Sequence, residues 1–147
     1  MRKKYEEALE VERIGKSLLK KFPELDASEA RIKYLFLIAK RDPGYLGKCS
    51  KADGKWKFLT NFDFVIEALK SFWEKVDRRE KESLVLHELL HIRKGIEKRT
   101  NKIKWVIRKH DLEEFNNVIK LHGCWTQELR DFYRYLKNYY KNKKERK

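Results

Sequence analysis

The run His87-Glu88-Leu89-Leu90-His91 sets two imidazoles four positions apart with a carboxylate beside the first. On an α-helix, residues i and i+4 share a face, so both rings can reach one metal ion and Glu88 can stand beside a water on that ion. Three protein ligands plus water make the open tetrahedral zinc site of a hydrolase. The rival reading is a pair of hydrogen-bonded core histidines with a helix-surface carboxylate. Three polar groups on a largely apolar helix would then each need separate satisfaction, because an unpaired buried carboxylate is costly. One Zn2+ ion satisfies all three together, so His87 and His91 are read as metal ligands and Glu88 as the catalytic general base.

A third ligand must come from outside the motif. His110 lies downstream, where a loop could swing it over the motif helix, and is the preferred third ligand. Glu114 is the alternative, either as ligand or as an acceptor behind a ligating imidazole. Asp111 suits a helix N-cap better. His122 falls near the far end of the helix expected after His110, roughly 18 Å away at about 1.5 Å per residue, so the two histidines cannot share one ion. His122 is assigned a structural role.

The elements that must position these residues can be read from pattern. Ala8, Val11, Leu18, Leu19 and Phe22 keep helical spacing up to Pro23. Arg31 to Ala39 is a continuous apolar and aromatic run, expected as a buried central strand. Tyr45–Ser50 and Lys55–Thr60 flank Ala52-Asp53-Gly54 and predict a hairpin with an edge strand. Phe64, Val65, Ala68, Leu69, Phe72 and Trp73 share a helical face. Asp77-Arg-Arg-Glu80 has the form of a capping box and opens a helix expected to run to Arg93-Lys94 with Gly95 as its stop. Its middle is apolar nearly all round, which predicts a buried helix. Ile96 to Lys109 is basic and irregular, with Ile103–Ile107 an extended piece. A second capping-box pattern, Asp111-Leu-Glu-Glu114, predicts a helix ending at Gly123. The last helix, Thr126 to about Lys143, carries a Phe132, Tyr135, Leu136, Tyr139 stripe, expected as core packing rather than interface.

The fold class that follows is α+β: a small, mostly antiparallel sheet of about three strands on a buried HExxH helix, with further N- and C-terminal helices. A single domain over residues 1–147 is expected, with a core at about 31–125 and a basic aromatic helix at 126–147.

HELLHI followed by KHDLEEF and a Gly-Cys-Trp helix end resembles the phage-type metallopeptidase domain of phage and archaeal proteins. More distantly it is similar to SprT-like zincins, in which H-E-x-x-H is followed by a helix-opening H-G-x-x-F pattern. The resemblance covers roughly Arg31 to Trp125. It implies a zincin-like fold, zinc-dependent cleavage of protein or peptide substrates, and a third zinc ligand that maps onto His110. Asp111 stands where that pattern has Gly, and Phe115 comes one residue late. SprT-like proteases that act on DNA-bound proteins carry a DNA-binding element; no zinc ribbon occurs here, so that role would fall to the basic surface.

Composition bounds the rest. The chain has 147 residues, 37 Lys+Arg and 23 Asp+Glu, for a formal charge of +14. Seven basic and four acidic groups fall in residues 1–21, and eight and three in 126–147, so the excess is spread along the chain. Such a surface attracts polyanions, and DNA is a candidate partner beside the peptide substrate. No apolar run suits a membrane span or a signal peptide, which predicts a cytoplasmic protein without a membrane partner. Cys49 and Cys124 are too few for a disulfide framework and are expected to be reduced. Abundant Glu and Lys beside a single glutamine, Gln127, resemble thermophile surfaces. The rival function is an inactive, zinc-stabilised nucleic-acid-binding or regulatory module.

Overall fold

The computed structural model describes residues 2–146; Met1 and Lys147, the ends of the expected domain, lie outside it. The elements are β1 (Lys3–Glu7), α1 (Leu9–Lys21), β2 (Ile32–Ala39), β3 (Gly47–Lys51), α2 (Gly54–Thr60), β4 (Phe64–Leu69), α3 (Lys70–Trp73), α4 (Arg78–Leu90), β5 (Ile92–Ile96), β6 (Ile103–Ile107), α5 (Asn116–His122) and α6 (Gln127–Glu145). The fold is α+β, as expected. The chain divides into two compact units, the first ending at Arg108 and the second starting at Lys109. No helix among the described residues is long and apolar enough to cross a membrane.

In the first unit a four-stranded sheet has the order β1-β2-β4-β3, and β5 and β6 form a separate antiparallel pair. β2 is central, as its continuous apolarity predicted. The sheet is mixed rather than mostly antiparallel, because β2 and β4 run parallel while β1 and β3 are antiparallel to their neighbours. β1 has no counterpart in the sequence reading; its Lys-Lys-Tyr-Glu-Glu stretch is polar because it is an edge strand with four of its five residues exposed.

Two expectations around the sheet are corrected together. The partner of β3 is not Lys55–Thr60, which forms helix α2, but β4, which had been expected as helix. Phe64, Ile66 and Ala68 point into the core at period two, and the other face is also largely covered. A central strand buried on both faces has no clean alternation, so its apolar residues also fit helical spacing. Only Lys70–Trp73 is helical. The hairpin therefore exists between β3 and β4, with α2 in its connection and Asn61 in the left-handed conformation that ends α2.

One face of the sheet carries α1 and α4. Val11, Ile14 and Leu18 of α1, Val85 and Leu89 of α4, and Tyr34, Phe64 and Ile66 of the strands form one buried cluster. Gly15 is required here: a methyl at that position would lie 2.5 Å from the Tyr34 hydroxyl. Glu10 joins three helices, accepting from Trp73 Nε1 at 2.9 Å and Lys81 Nζ at 2.9 Å.

In the second unit α5 starts at Asn116, with Phe115 at its N-cap and no side-chain cap. The expected Asp111–Glu114 capping box does not form, because the Glu114 carboxylate is taken by Phe115 N and Trp125 Nε1 at 2.8 and 3.2 Å. α5 ends at Gly123 and α6 begins at Thr126, whose hydroxyl accepts from Leu129 N. Both boundaries agree with the sequence reading. The stripe on α6 is not core: Phe132, Tyr135, Leu136 and Tyr139 are all exposed.

The strand starts are fastened by Asp63, which is buried yet charged. Its carboxylate accepts from Arg31 N at 2.8 Å and pairs with Arg31 and Lys57. Its carbonyl accepts from Ala52 N and its own N–H donates to Arg31 O. Burial pushes the carboxyl pKa up, but the bonds from Arg31 and Lys57 outweigh it and hold the carboxyl below its ordinary value. A lowered folded pKa means the stabilisation is complete above the unfolded value near 4 and disappears as pH falls through the lower folded value. Asp63→Asn is expected to cost about 1–3 kcal/mol in urea unfolding at neutral pH. The gap from wild type should narrow as pH drops below about 4.

Candidate metal centre

The motif helix α4 forms where its capping residues dictate. Asp77 Oδ1 accepts from Glu80 N at 2.9 Å, and Glu80 Oε2 accepts from Asp77 N at 3.0 Å, the reciprocal box read from the sequence. The helix buries one face only, through Val85, Glu88 and Leu89, so the expectation of an all-round buried helix is corrected; His87 is exposed. It also stops early. Leu90 is the last helical residue, and Ile92–Ile96 is strand β5 instead of a final helical turn. Gly95 is not a helix stop but a strand residue facing Lys104, whose carbonyl would sit 3.3 Å from any Cβ there.

That early stop leaves His91 at the C-cap, where it makes a two-way contact with Arg108. Arg108 N donates to His91 O at 2.7 Å, and His91 Nδ1 lies 2.6 Å from Arg108 O. A carbonyl only accepts, so Nδ1 carries the proton and Nε2 is the nitrogen that could serve a metal. The His87 and His91 rings lie edge to face with centroids 5.0 Å apart. His110 follows Arg108 by two residues. His87, His91 and His110 each offer a ligand atom, and those atoms lie within 4.8 Å of one another. Three imidazoles form a donor set that could hold a metal ion. Glu114 is not in this group, and His122 is exposed at the end of α5.

Glu88 lies in the gap between α4 and β3 and is 4% exposed. The Cys49 backbone N–H donates to its carboxylate. Burial raises its pKa, the Glu67 carboxylate adds to the rise, and His91 and the Cys49 N–H oppose it. Gly47 makes the room: a methyl there would lie 2.9 Å from Leu84 Cδ1, 3.0 Å from Glu88 Oε1 and 3.2 Å from Glu67 O. Sequence reading passed over Gly47, because a glycine needed for close approach carries no local signature.

The hydrogen-bond phase of β3 shows which of its groups face outward. Leu69 N donates to Leu46 O and Ala52 N to Asp63 O, so the even-numbered residues of β3 bond to β4. Gly47, Cys49 and Lys51 therefore aim their N–H and C=O groups at the edge away from β4. The Tyr45 hydroxyl lies between Lys3 Nζ at 3.1 Å and Glu67 Oε1 at 3.4 Å.

An α+β protein with a helix-borne imidazole pair, a third histidine within reach and a buried carboxylate beside them has the makeup of a metal-dependent enzyme. The chain belongs to the family described as "Putative phage metallopeptidase", whose profile matches residues 3–137. Membership points to a metallopeptidase with a metal cofactor. No curated protein and no solved structure matches the chain.

Two outcomes are expected from this geometry. Gly47→Ala should destabilise the fold by about 1–3 kcal/mol by overpacking, and Leu84→Ala should recover part of that loss in the double variant, as read by thermal unfolding. Burial, reinforced by the Glu88 carboxylate, pushes the Cys49 thiol up to about 12, whereas Cys124 is exposed. Native protein should thus give one fast-reacting thiol toward an aromatic disulfide reagent, lost in Cys124→Ser, with Cys49 reacting only on unfolding.

Proposed function

We propose that this protein is a zinc-dependent metallopeptidase of the zincin type, with His87, His91 and His110 as ligands and Glu88 as general base. The observation that carries the proposal is the convergence of the three imidazoles, whose ligand atoms lie within 4.8 Å of one another. Bound there, zinc would lower the pKa of its water to about 7 and polarise the scissile carbonyl. The protein's own groups do the rest. His91 is held in one tautomer by the Arg108 carbonyl, so its Nε2 would be the nitrogen that holds the ion. Glu88 takes the proton as water attacks the carbonyl carbon, and returns it to the leaving amine as the C–N bond breaks.

The outward edge of β3 supports a place for the substrate. An extended peptide can add to the outward edge of β3, exchanging main-chain hydrogen bonds with Gly47 and Lys51 while Glu88 stands beside Cys49. Specificity would then come from the side-chain pockets flanking that edge.

Metal analysis of the purified protein should give about one zinc per chain, and His87→Ala and His110→Ala should each lose it. Glu88→Gln should keep the zinc while peptide hydrolysis falls about 10²- to 10⁴-fold. Hydrolysis that persists in Glu88→Gln would reject the mechanism, and a native protein without metal would reject the site.

A further inference from the structure

Helix α6 carries a surface that the peptidase reading leaves unused. Between Phe132 and Lys144 the chain has five basic residues, Arg134, Lys137, Lys141, Lys143 and Lys144, and no acidic one. The same stretch holds four tyrosines, which are 44–64% exposed. Tyr133, Leu136, Lys137, Tyr140, Lys141 and Lys144 line one shallow apolar depression along the helix. Their spacings of three and four place them in one stripe, about 16 Å long at about 1.5 Å per residue. Cations already lie over aromatic faces here: Lys137 Nζ is 5.5 Å from the Tyr133 ring centre and the Arg134 guanidinium 5.4 Å from that of Tyr135.

We propose that this face of α6 binds single-stranded nucleic acid, with Tyr133 and Tyr140 stacking on bases and Lys137, Lys141 and Lys144 contacting phosphates. Charge selects the class of partner, because a stripe with cations and no carboxylate complements a polyanion. The aromatics narrow it further. Rings two helical turns apart, alternating with ammonium groups, match a chain in which flat bases alternate with phosphates, and stacking needs base faces that a duplex hides. An anionic membrane is less well matched, since the stripe's only aliphatic side chain is Leu136.

The test uses the full chain and a fluorescein-labelled dT20 oligonucleotide, read by anisotropy against salt. Three phosphate contacts predict a slope of log K against log salt of about −2, at roughly −0.7 per contact for single strands. Lys137→Glu/Lys141→Glu/Lys144→Glu should bind at least tenfold more weakly and flatten the slope. Tyr133→Ala/Tyr140→Ala should bind at least fivefold more weakly with the slope unchanged, while Tyr133→Phe/Tyr140→Phe should bind like wild type. Circular dichroism checks that each variant keeps its helix content, and these positions are exposed enough for folding to survive. The proposal is overturned if dT20 does not bind at low salt, if the tyrosine-to-alanine pair binds as wild type, or if a duplex, polyglutamate or phosphatidylserine vesicles bind as tightly as dT20. Peptide hydrolysis is a separate readout and should be unchanged in all three variants, so failure here leaves the metal centre untouched.

Discussion

The pair of hydrogen bonds between His91 and Arg108 is the constraint on which the candidate site depends. His91 receives the Arg108 N–H on its carbonyl and gives its own Nδ1 proton to the Arg108 carbonyl. The first bond belongs to the ladder of the β5–β6 hairpin, which continues with Ile92 opposite Ile107. The second fixes the ring. One residue thus caps a helix and leads into a strand, with its ring tautomer set. The hairpin also brings the chain back beside the helix it left.

Next to His91, Glu88 meets a different constraint. A carboxylate at 4% exposure is expensive unless it is bonded, and its partners come from the sheet edge and the neighbouring imidazole rather than from a lysine or arginine. That choice keeps the charge available for chemistry. A salt-bridged carboxylate would be held low in pKa, as Asp63 is by Arg31 and Lys57, and would be a poor proton acceptor near neutral pH. Asp63 and Glu88, two of the three buried acids of the first unit, show both outcomes: Asp63 is paired with cations and fastens strands, whereas Glu88 is buried beside a backbone donor and next to His91.

Legibility in the sequence followed the range of the interactions. The capping box at Asp77 and Glu80, the Gly123 stop and the Thr126 start are local hydrogen-bond chemistry, and all three stand where the residues put them. His87, His91 and His110 could be singled out as candidates because helical geometry and the scarcity of histidine leave few alternatives. What was not readable depended on partners distant in sequence. β4 reads as helix until β2 and β3 flank it; Ile92 reads as helix until Ile107 lies opposite; Gly47 reads as an ordinary loop glycine until Leu84 and Glu88 pack against it. The polar β1 carried no apolar pattern to detect because its edge position demands none.

Charge shows the same division between local and distant partners. In the first unit, acids on strands and helices meet cations across elements, as in Glu6 with Lys70, Glu7 with Lys33 and Glu10 with Lys81. On α6 the neighbours along the helix are alike in sign: Lys137 and Lys141 are four apart, and Lys141 and Lys144 three apart. Such pairs cost a few tenths of a kcal/mol each in an isolated helix, by analogy with the gain from opposite charges. A helix that keeps this repulsion, and exposes tyrosines beside it, gains stability from any ligand that neutralises the lysines, since whatever binds the folded form alone stabilises it. The excess charge of the chain is therefore most consequential where carboxylates are missing, along one stripe of one helix, rather than in its total.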